Sequence, residues 1–136
     1  MTLYLAAAFE SLERMRGLRE WFHQNTRHQI VGTWLDEVGG SVTPDPAQWI
    51  VYAIRDLQEL KTADGLVLDT FDTNTRGGRE VEWGISLARM GLRMRVLVGP
   101  IRNVFHTLAQ YHFETWDAAK EWFLNGASGS FHDRRS

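Results

Sequence analysis

The chain of 136 residues contains no cysteine. This absence excludes disulfide scaffolds, thiolate zinc sites and thiol nucleophiles. Acidic residues outnumber basic ones only by 17 to 15, so the sequence shows no electrostatic footprint for nucleic acid. The longest apolar run, from Leu3 to Phe9, is too short to span a bilayer, and no basic leader precedes it. We therefore expect no membrane partner and no signal peptide, and a cytoplasmic enzyme or small-ligand protein remains.

The composition is that of an ordinary globular domain, with 43% hydrophobic and 24% charged residues. The length favours one domain that is large enough to bury a core of its own. We place this domain at residues 1–125 and expect the small, polar stretch 126–136 to form a flexible tail. Most of the six tryptophans are expected in the core or at a subunit interface.

Short apolar segments alternate with segments of helical period along the chain. The predicted strands are residues 3–6, 30–34, 65–68, 96–98 and 111–113. The predicted helices are residues 12–22, a second from Pro46 after the N-cap Asp45 to Leu60, a third after Gly77-Gly78 that ends before Gly91, and Asp117–Leu124. Continuous apolar runs are typical of parallel strands that are covered on both faces. The pattern predicts a small doubly wound α/β domain, flavodoxin- or Rossmann-like, whose mostly parallel five-stranded sheet is flanked by helices.

Ligands of such sheets bind beyond the carboxyl ends of the strands. The polar segment 72–78 follows one of these ends, finishes in a glycine pair and leads into a helix. Unpaired backbone N–H groups at a helix start suit an anion or an electron-rich ligand. A flexible surface loop is the alternative interpretation of this segment.

Two acids on predicted helices are candidates for chemistry. Glu82 lies between Val81 and Trp83, and Gly84 follows two positions later. A glycine inside a helix favours close approach of another group. A carboxylate at a pocket floor can act as nucleophile or base, although acids in a first helical turn are also favoured by the helix dipole. Asp56 adjoins an apolar stripe and either faces solvent or pairs with Arg55 or Lys61.

The five histidines have no metal-binding spacing, so we expect no metal and no other cofactor. Serine nucleophile elbows and Walker loops are also absent. The residues by themselves therefore predict an α/β domain that binds a small phosphorylated or nucleoside-like ligand.

Four segments, in order, resemble the nucleoside 2-deoxyribosyltransferase family, which includes 2′-deoxynucleoside 5′-phosphate N-hydrolases. Residues 3–9 resemble its opening strand and loop. Residues 56–67 resemble the pattern D-L-x-x-L-x-x-A-D-x-x-V, residues 77–84 resemble G-G-x-x-x-E-x-G, and residues 98–100 with 103–106 resemble small members of the family. The resemblance extends from about residue 2 to residue 124.

The resemblance implies three catalytic residues. Glu82 would attack the anomeric carbon of a deoxyribose and form a covalent glycosyl-enzyme, as in retaining glycosidases. Tyr4 would lie beside Glu82 and orient it. Asp56 would hold the sugar hydroxyls or assist proton transfer to the leaving base.

The resemblance also implies a set of substrate-binding residues and a homodimer or higher homo-oligomer with shared active sites. Gly77 and Gly78 would close over the sugar or its 5′ substituent, Asp72 would recognise the base, and Arg76 or Arg79 would receive a phosphate. The remaining members of the set are Ala7 and Phe9 after the first strand, and Asn103 and His106, which would enter a neighbouring subunit's site.

The sequence departs from the family at positions that distinguish its two activities. Hydrolase relatives carry a serine and an arginine where this chain has Ala8 and Glu10, and transferase relatives carry an acid where it has Arg76. We expect transfer of a deoxyribosyl group from a 2′-deoxynucleoside to another nucleobase. Hydrolysis of a 2′-deoxynucleoside 5′-monophosphate and a non-catalytic nucleotide-binding module are the alternatives.

Overall fold

The computed structural model describes residues 1–36, 46–73, 77–89 and 91–125, and the side chain of Pro46 is not part of this description. The strands are β1 (Thr2–Ala6), β2 (Gln29–Val31), β3 (Gly65–Asp69), β4 (Met94–Val98) and β5 (Tyr111–Phe113). The helices are α1 (Leu12–Asn25), α2 (Pro46–Thr62), α3 (Gly78–Ala88) and α4 (Trp116–Asn125). The predicted tail, the predicted N-cap Asp45 and the candidate ligand Arg76 lie outside the described residues.

All five strands are parallel and follow the order β2-β1-β3-β4-β5, which confirms the predicted doubly wound sheet. The register places Tyr4 beside Val31 on one side and beside Leu66 on the other. Strand order reverses at β1, because the chain leaves it towards β2 and later returns to its opposite edge as β3. This reversal is the switch point at which sheets of this class bind their ligands.

The strand predicted at residues 30–34 extends further than the observed strand β2, which ends at Val31. Thr33 and Trp34 are not strand residues but open a short 3-10 helix, Thr33–Asp36. The strand ends because Gly32 adopts a positive φ of 124°, a conformation that favours glycine, and Leu35 N–H then donates to the Gly32 carbonyl at 3.2 Å.

The two faces of the sheet are covered by different helices. Asp69 of β3 bonds to Arg14 of α1 and to Trp116 of α4, so α1 and α4 share one face. Side chains alternate along a strand, so Tyr4 and its neighbour Leu66 point to the other face, where α3 packs. None of the described helices is long and apolar enough to cross a membrane.

Helix α2 confirms the predicted helical period, but its apolar stripe does not face the core. Leu60 is buried, whereas Ile50, Ile54 and Leu57 are exposed. The outer surface of α2 is therefore apolar and uncovered by the described part of the chain.

A Cβ atom placed at Gly84 of α3 would meet no described atom within 4 Å, so the described residues do not make the expected close approach there.

Candidate active site

The structure brings Tyr4 and Glu82 together at the switch point of the sheet. Tyr4 lies on β1 and is fully buried, and Glu82 lies on α3, 78 residues later in the chain. The Tyr4 hydroxyl donates a short hydrogen bond to Glu82 Oε2. A tyrosine in this position both orients the carboxylate and stabilises its negative charge.

A left-handed glycine sets where α3 begins. Gly77 has a φ of 91°, and its carbonyl accepts the N–H groups of Glu80 at 3.1 Å and Val81 at 3.2 Å. Residues other than glycine are strained in this conformation. Because α3 starts directly after Gly77, Glu82 falls at the start of its second turn, above the ring of Tyr4.

The environment of Glu82 favours its protonated form. Burial raises the pKa of Glu82 to about 8, although the hydrogen bond from Tyr4 works in the opposite direction. The negative charges of Asp56 and Glu59 raise it further. Burial also raises the pKa of Tyr4, with the charge of Glu82 as the second cause, so Tyr4 stays a hydrogen-bond donor. Glu82 therefore becomes a full carboxylate only in mildly alkaline solution or when a ligand changes its surroundings.

Helix α2 adds two more carboxyl groups to this site. Asp56 and Glu59 are three residues apart and share one face of the helix. The pairing of Asp56 with Arg55, one of the predicted alternatives, is present at 3.6 Å, and Arg55 Nε lies 3.9 Å from Glu59 Oε1. Within the described ranges, no group of three or more His, Asp or Glu side chains could hold a metal ion. The cluster of Glu82, Asp56 and Glu59 is suited to bind sugar hydroxyls and to stabilise a carbon that develops positive charge.

Arg79 supports the loop before α3 from below. Its guanidinium is buried, and Nη1 donates to the carbonyl of Asp72 at 2.8 Å and to that of Asp69 at 3.4 Å. Its Nε also lies 3.3 Å from Glu80 Oε2. The structure thus places this predicted phosphate ligand in the interior, where it holds the loop's backbone.

His106 and Asn103 fasten the loop after β4 to α3. His106 is fully buried; its Nε2 lies 2.8 Å from Glu80 Oε1, and its Nδ1 accepts the N–H of Arg102 at 3.1 Å. Asn103 Nδ2 donates to the same Glu80 oxygen at 2.9 Å. Asn103 is exposed, but the ring of His106 is enclosed by its own chain and does not reach the surface. The ring of His106 thus links this loop to α3, and its predicted place in a neighbouring subunit's site stays a prediction.

The other predicted contacts lie around the ends of β1 and α3. Ala7 is buried, and the ring of the partly buried Phe9 packs against Trp34 at 6.3 Å. A Cβ at Gly77 or Gly78 would meet no described atom within 4 Å, so this backbone is accessible to a ligand. The substrate roles of these four residues stay predictions.

Asp72 lies beside a cavity of about 650 Å³. The cavity is formed from α1, α4 and the ends of β3 and β5, and its walls are Arg14, Phe71, Asp72, Thr73, Thr115, Trp116 and Asp117. Tyr4 and Glu82 are not among its lining residues. The predicted recognition of a base by Asp72 therefore depends on how a bound ligand would extend across the end of the sheet.

Two polar residues of this region were not singled out from the sequence. Asp69 is buried at the end of β3 and accepts from Arg14, from Trp116 Nε1 at 2.7 Å and from the Phe71 N–H at 3.1 Å. An acid directly after an apolar strand is the signal that points to it. Glu59 follows Asp56 by one helical turn, and this spacing is the signal that it shares the face of Asp56.

Fold and site define a class of protein: a flavodoxin-like α/β domain with a tyrosine-supported carboxylate at its switch point. The comparisons with known proteins make the fold more specific. A solved 2-deoxyribosyltransferase from the psychrotolerant bacterium Bacillus psychrosaccharolyticus superposes on this chain with a TM-score of 0.70. The match covers 88% of this chain and 90% of that one, at 19% sequence identity.

The chain therefore has the fold of a 2-deoxyribosyltransferase. No family model matches the sequence, and no curated protein matches it either. The similarity of the fold rests on backbone geometry, whereas the resemblance of the four sequence segments rests on residues, so the two observations are independent.

Proposed function

We propose that the protein belongs to the nucleoside 2-deoxyribosyltransferase family and transfers the deoxyribosyl group of a 2′-deoxynucleoside to another nucleobase. The observation that carries this proposal is the hydrogen bond from Tyr4 to the carboxylate of Glu82 at the switch point. The solved relative in fold is described as a biocatalyst for the synthesis of nucleosides, which is the same chemistry.

The proposed reaction has two displacements at the anomeric carbon. A Glu82 oxygen forms a bond to C1′ while the C1′–N bond breaks. The electron pair of the C1′–N bond leaves with the base, and the base takes up a proton. A nitrogen of the second base then forms a bond to C1′, the ester bond to Glu82 breaks, and that base gives up a proton. Two successive displacements retain the configuration at C1′, as in retaining glycosidases.

Tyr4 and the acidic residues around Glu82 have separate functions in this proposal. Tyr4 holds one oxygen of Glu82, so the other oxygen, Oε1, is directed to the sugar. Asp56 binds the sugar hydroxyls or passes a proton to the leaving base. The negative charges of the cluster favour the positive charge that develops on the sugar in the transition state.

Among the residues that the structure describes, which do not include Arg76, the placement of Arg79 favours nucleosides over their 5′-monophosphates as substrates. Arg79 is buried and bonded to loop carbonyls, and Ala8 and Glu10 offer no side chain that binds phosphate. Hydrolysis of monophosphates therefore has weaker support than base exchange.

We also propose that the functional unit is a homodimer or a higher homo-oligomer. The α2 surface exposes Ile50, Ile54 and Leu57, and Val81 of α3 is 63% exposed. The loop after β4 adds Val104, which is 71% exposed. Several large exposed apolar side chains of this kind are typical of a subunit interface. A second copy on this surface would lie next to the helices that carry Asp56 and Glu82.

A chromatographic assay with a panel of deoxynucleosides and their monophosphates, with and without a second free base, tests the reaction. We expect an exchanged nucleoside only when both a deoxynucleoside and a second base are present. Glu82→Ala should abolish exchange, while its melting temperature stays within a few degrees of the wild-type value.

Other outcomes of this assay separate the alternatives. Free base from monophosphates alone would replace the transferase by the hydrolase. Turnover by Glu82→Ala at the wild-type rate would exclude Glu82 as the nucleophile. Binding without turnover on every substrate would identify a nucleotide-binding module.

A further inference from the structure

Glu59 makes a contact that reaches from α2 to the turn after β2. Its two carboxylate oxygens accept the backbone N–H of Thr33 at 3.0 and 3.2 Å, and Oε1 also accepts the Thr33 hydroxyl at 3.1 Å. The two residues are 26 positions apart in the chain. Glu59 therefore binds the first residue of the short helix Thr33–Asp36 and ties this turn to α2.

The turn that Glu59 holds is packed against the ring of Tyr4. A Cβ at Gly32 would lie 3.4 Å from Tyr4 Cε2 and 3.3 Å from Trp34 Cδ1, so the turn lies close to both rings. Trp34 Nε1 donates to the carbonyl of Leu5 at 2.9 Å, which fixes the far side of the turn to β1. The ring of Tyr4 thus has the turn as one of its walls.

Glu59 is also close enough to affect Tyr4 and Glu82 electrostatically. Its charge raises the pKa of both Tyr4 and Glu82. Asp56 on α2 is the other charged group that raises both pKa values, and Arg55 lies beside Asp56 and Glu59 at 3.6 and 3.9 Å. Grouping three carboxyl groups is unfavourable for stability, and such arrangements are concentrated at functional sites.

We propose that Glu59 is a positioning residue of the active site, which ties the turn after β2 to α2 and thereby holds the ring of Tyr4 in place beneath Glu82. This inference rests on the proposed function, because it assigns Glu59 to the same reaction. Glu59 does not contact the sugar in this account. It acts through Tyr4, and its charge is a second effect that substitution can separate from the first.

Two substitutions at residue 59 separate position from charge. Glu59→Gln keeps an amide oxygen for the Thr33 N–H but removes the charge, whereas Glu59→Ala removes both. We expect Glu59→Ala to lower kcat at least tenfold with a smaller change in KM. Glu59→Gln should recover most of kcat and move the pH midpoint of Glu82 downwards, because one negative charge near it is lost.

The chain offers a matched control at the opposite end of the sheet. Asp64 Oδ2 accepts the backbone N–H of Thr2 at 2.9 Å and its hydroxyl at 3.2 Å, the same type of contact that Glu59 makes with Thr33. Asp64 lies beside the amino end of β1, away from Glu82. Asp64→Ala should lower stability but leave kcat and the pH midpoint of Glu82 unchanged.

A measurement without substrate distinguishes failure of this inference from failure of the proposed function. NMR spectra of protein with ¹³C-labelled tyrosine and glutamate report on Tyr4 and Glu82, whose signals are assigned with Tyr4→Phe and Glu82→Gln. We expect Glu59→Ala to shift the ring signals of Tyr4, and Glu59→Gln to shift only the titration of Glu82. Unchanged Tyr4 signals in Glu59→Ala would overturn the inference, whether or not the wild-type protein shows turnover. Equal losses of kcat in the Asp64 and Glu59 alanine variants would also overturn it.

Discussion

At the scale of single residues, Glu82 has to satisfy two opposing requirements. In the proposed reaction, burial beside Tyr4 excludes water from the reacting carbon, but burial also raises the pKa of Glu82 to about 8. The hydrogen bond from Tyr4 partly offsets this effect because it stabilises the charged form. The pH dependence of the protein should therefore be determined by this pair.

The activity should rise with pH through the titration of Glu82. Since only the carboxylate attacks C1′, we expect kcat/KM to increase along a limb with a midpoint near pH 8. Tyr4→Phe removes the hydrogen bond that stabilises the carboxylate, so its limb should move to higher pH and its maximum rate should fall. Steady-state rates between pH 5 and pH 10 measure both effects, and a flat profile across this range would contradict the raised pKa.

The same pKa predicts how stability changes with pH. A carboxyl group whose pKa is higher in the folded than in the unfolded state stabilises the fold below the unfolded value of about 4.5 and loses this contribution as the pH rises towards 8. Glu82→Gln cannot ionise, so it should gain stability relative to the wild type across this window. We expect a gain of roughly 1–4 kcal/mol at pH 9 and little at pH 4.

Urea unfolding of both proteins at the two pH values checks this expectation. A difference between Glu82→Gln and the wild type that does not change with pH would show that folding leaves the pKa of Glu82 unchanged, and it would contradict the raised pKa.

At the scale of elements, the glycines show which backbone positions are constrained by their surroundings. Gly17 is exposed within α1, and a Cβ there would meet no described atom within 4 Å. Gly99 has a φ of 121°, and a Cβ there would lie 2.6 Å from Thr70 Oγ1. Gly17 therefore only lowers the helix propensity of α1, whereas Gly99 is required by the turn after β4.

Alanine substitutions at these two glycines should have opposite effects. Gly17→Ala should raise the free energy of unfolding by about 0.5–1 kcal/mol, since alanine favours the helix and restricts the unfolded chain. Gly99→Ala should lower it by about 1–3 kcal/mol because of backbone strain and the close contact. Thermal unfolding measures both, and a loss in Gly17→Ala would indicate an interaction of α1 beyond those described.

Hydrogen bonds between elements connect the helices and loops that form the site. Glu80 at the start of α3 holds the loop after β4 through His106 and Asn103, and Trp83 Nε1 donates to the carbonyl of Phe105 at 2.9 Å. Residues of α3 on both sides of Glu82 are therefore fixed to this loop. The position of the proposed nucleophile depends on these contacts as well as on α3 itself.

At the scale of the whole molecule, the described residues leave the apolar surface of α2 uncovered, and a second copy of the chain is the cover that we propose. If a second copy covers it, an acidic residue in its centre should prevent association. Ile54 is 52% exposed on this surface, and Leu124 of α4 is 52% exposed elsewhere. We expect Ile54→Glu to convert the oligomer to monomers with reduced turnover, whereas Leu124→Glu should leave the assembly unchanged.

Sedimentation at micromolar concentration distinguishes these states. A wild-type protein that sediments as a monomer would contradict the proposed interface and the shared active sites that the resemblance implies.

The amino-acid sequence by itself determined the elements and their order. The apolar runs of β3 and β4 and the period of α2 depend on neighbours within a few residues, and these local patterns are sufficient to predict a parallel five-stranded sheet. The resemblance of the sequence motifs to the family also implies roles for Tyr4, Asp56 and Glu82, and these roles stay predictions.

Only the tertiary structure decided which side chains share a site. The contacts of Tyr4 with Glu82, of Glu59 with Thr33 and of His106 with Glu80 join residues 78, 26 and 26 positions apart. The sequence predicts Arg79 and His106 as ligands, whereas the structure places both side chains in the interior. No local pattern contains this information, since burial and charge coupling arise from groups that become neighbours only when the sheet has formed.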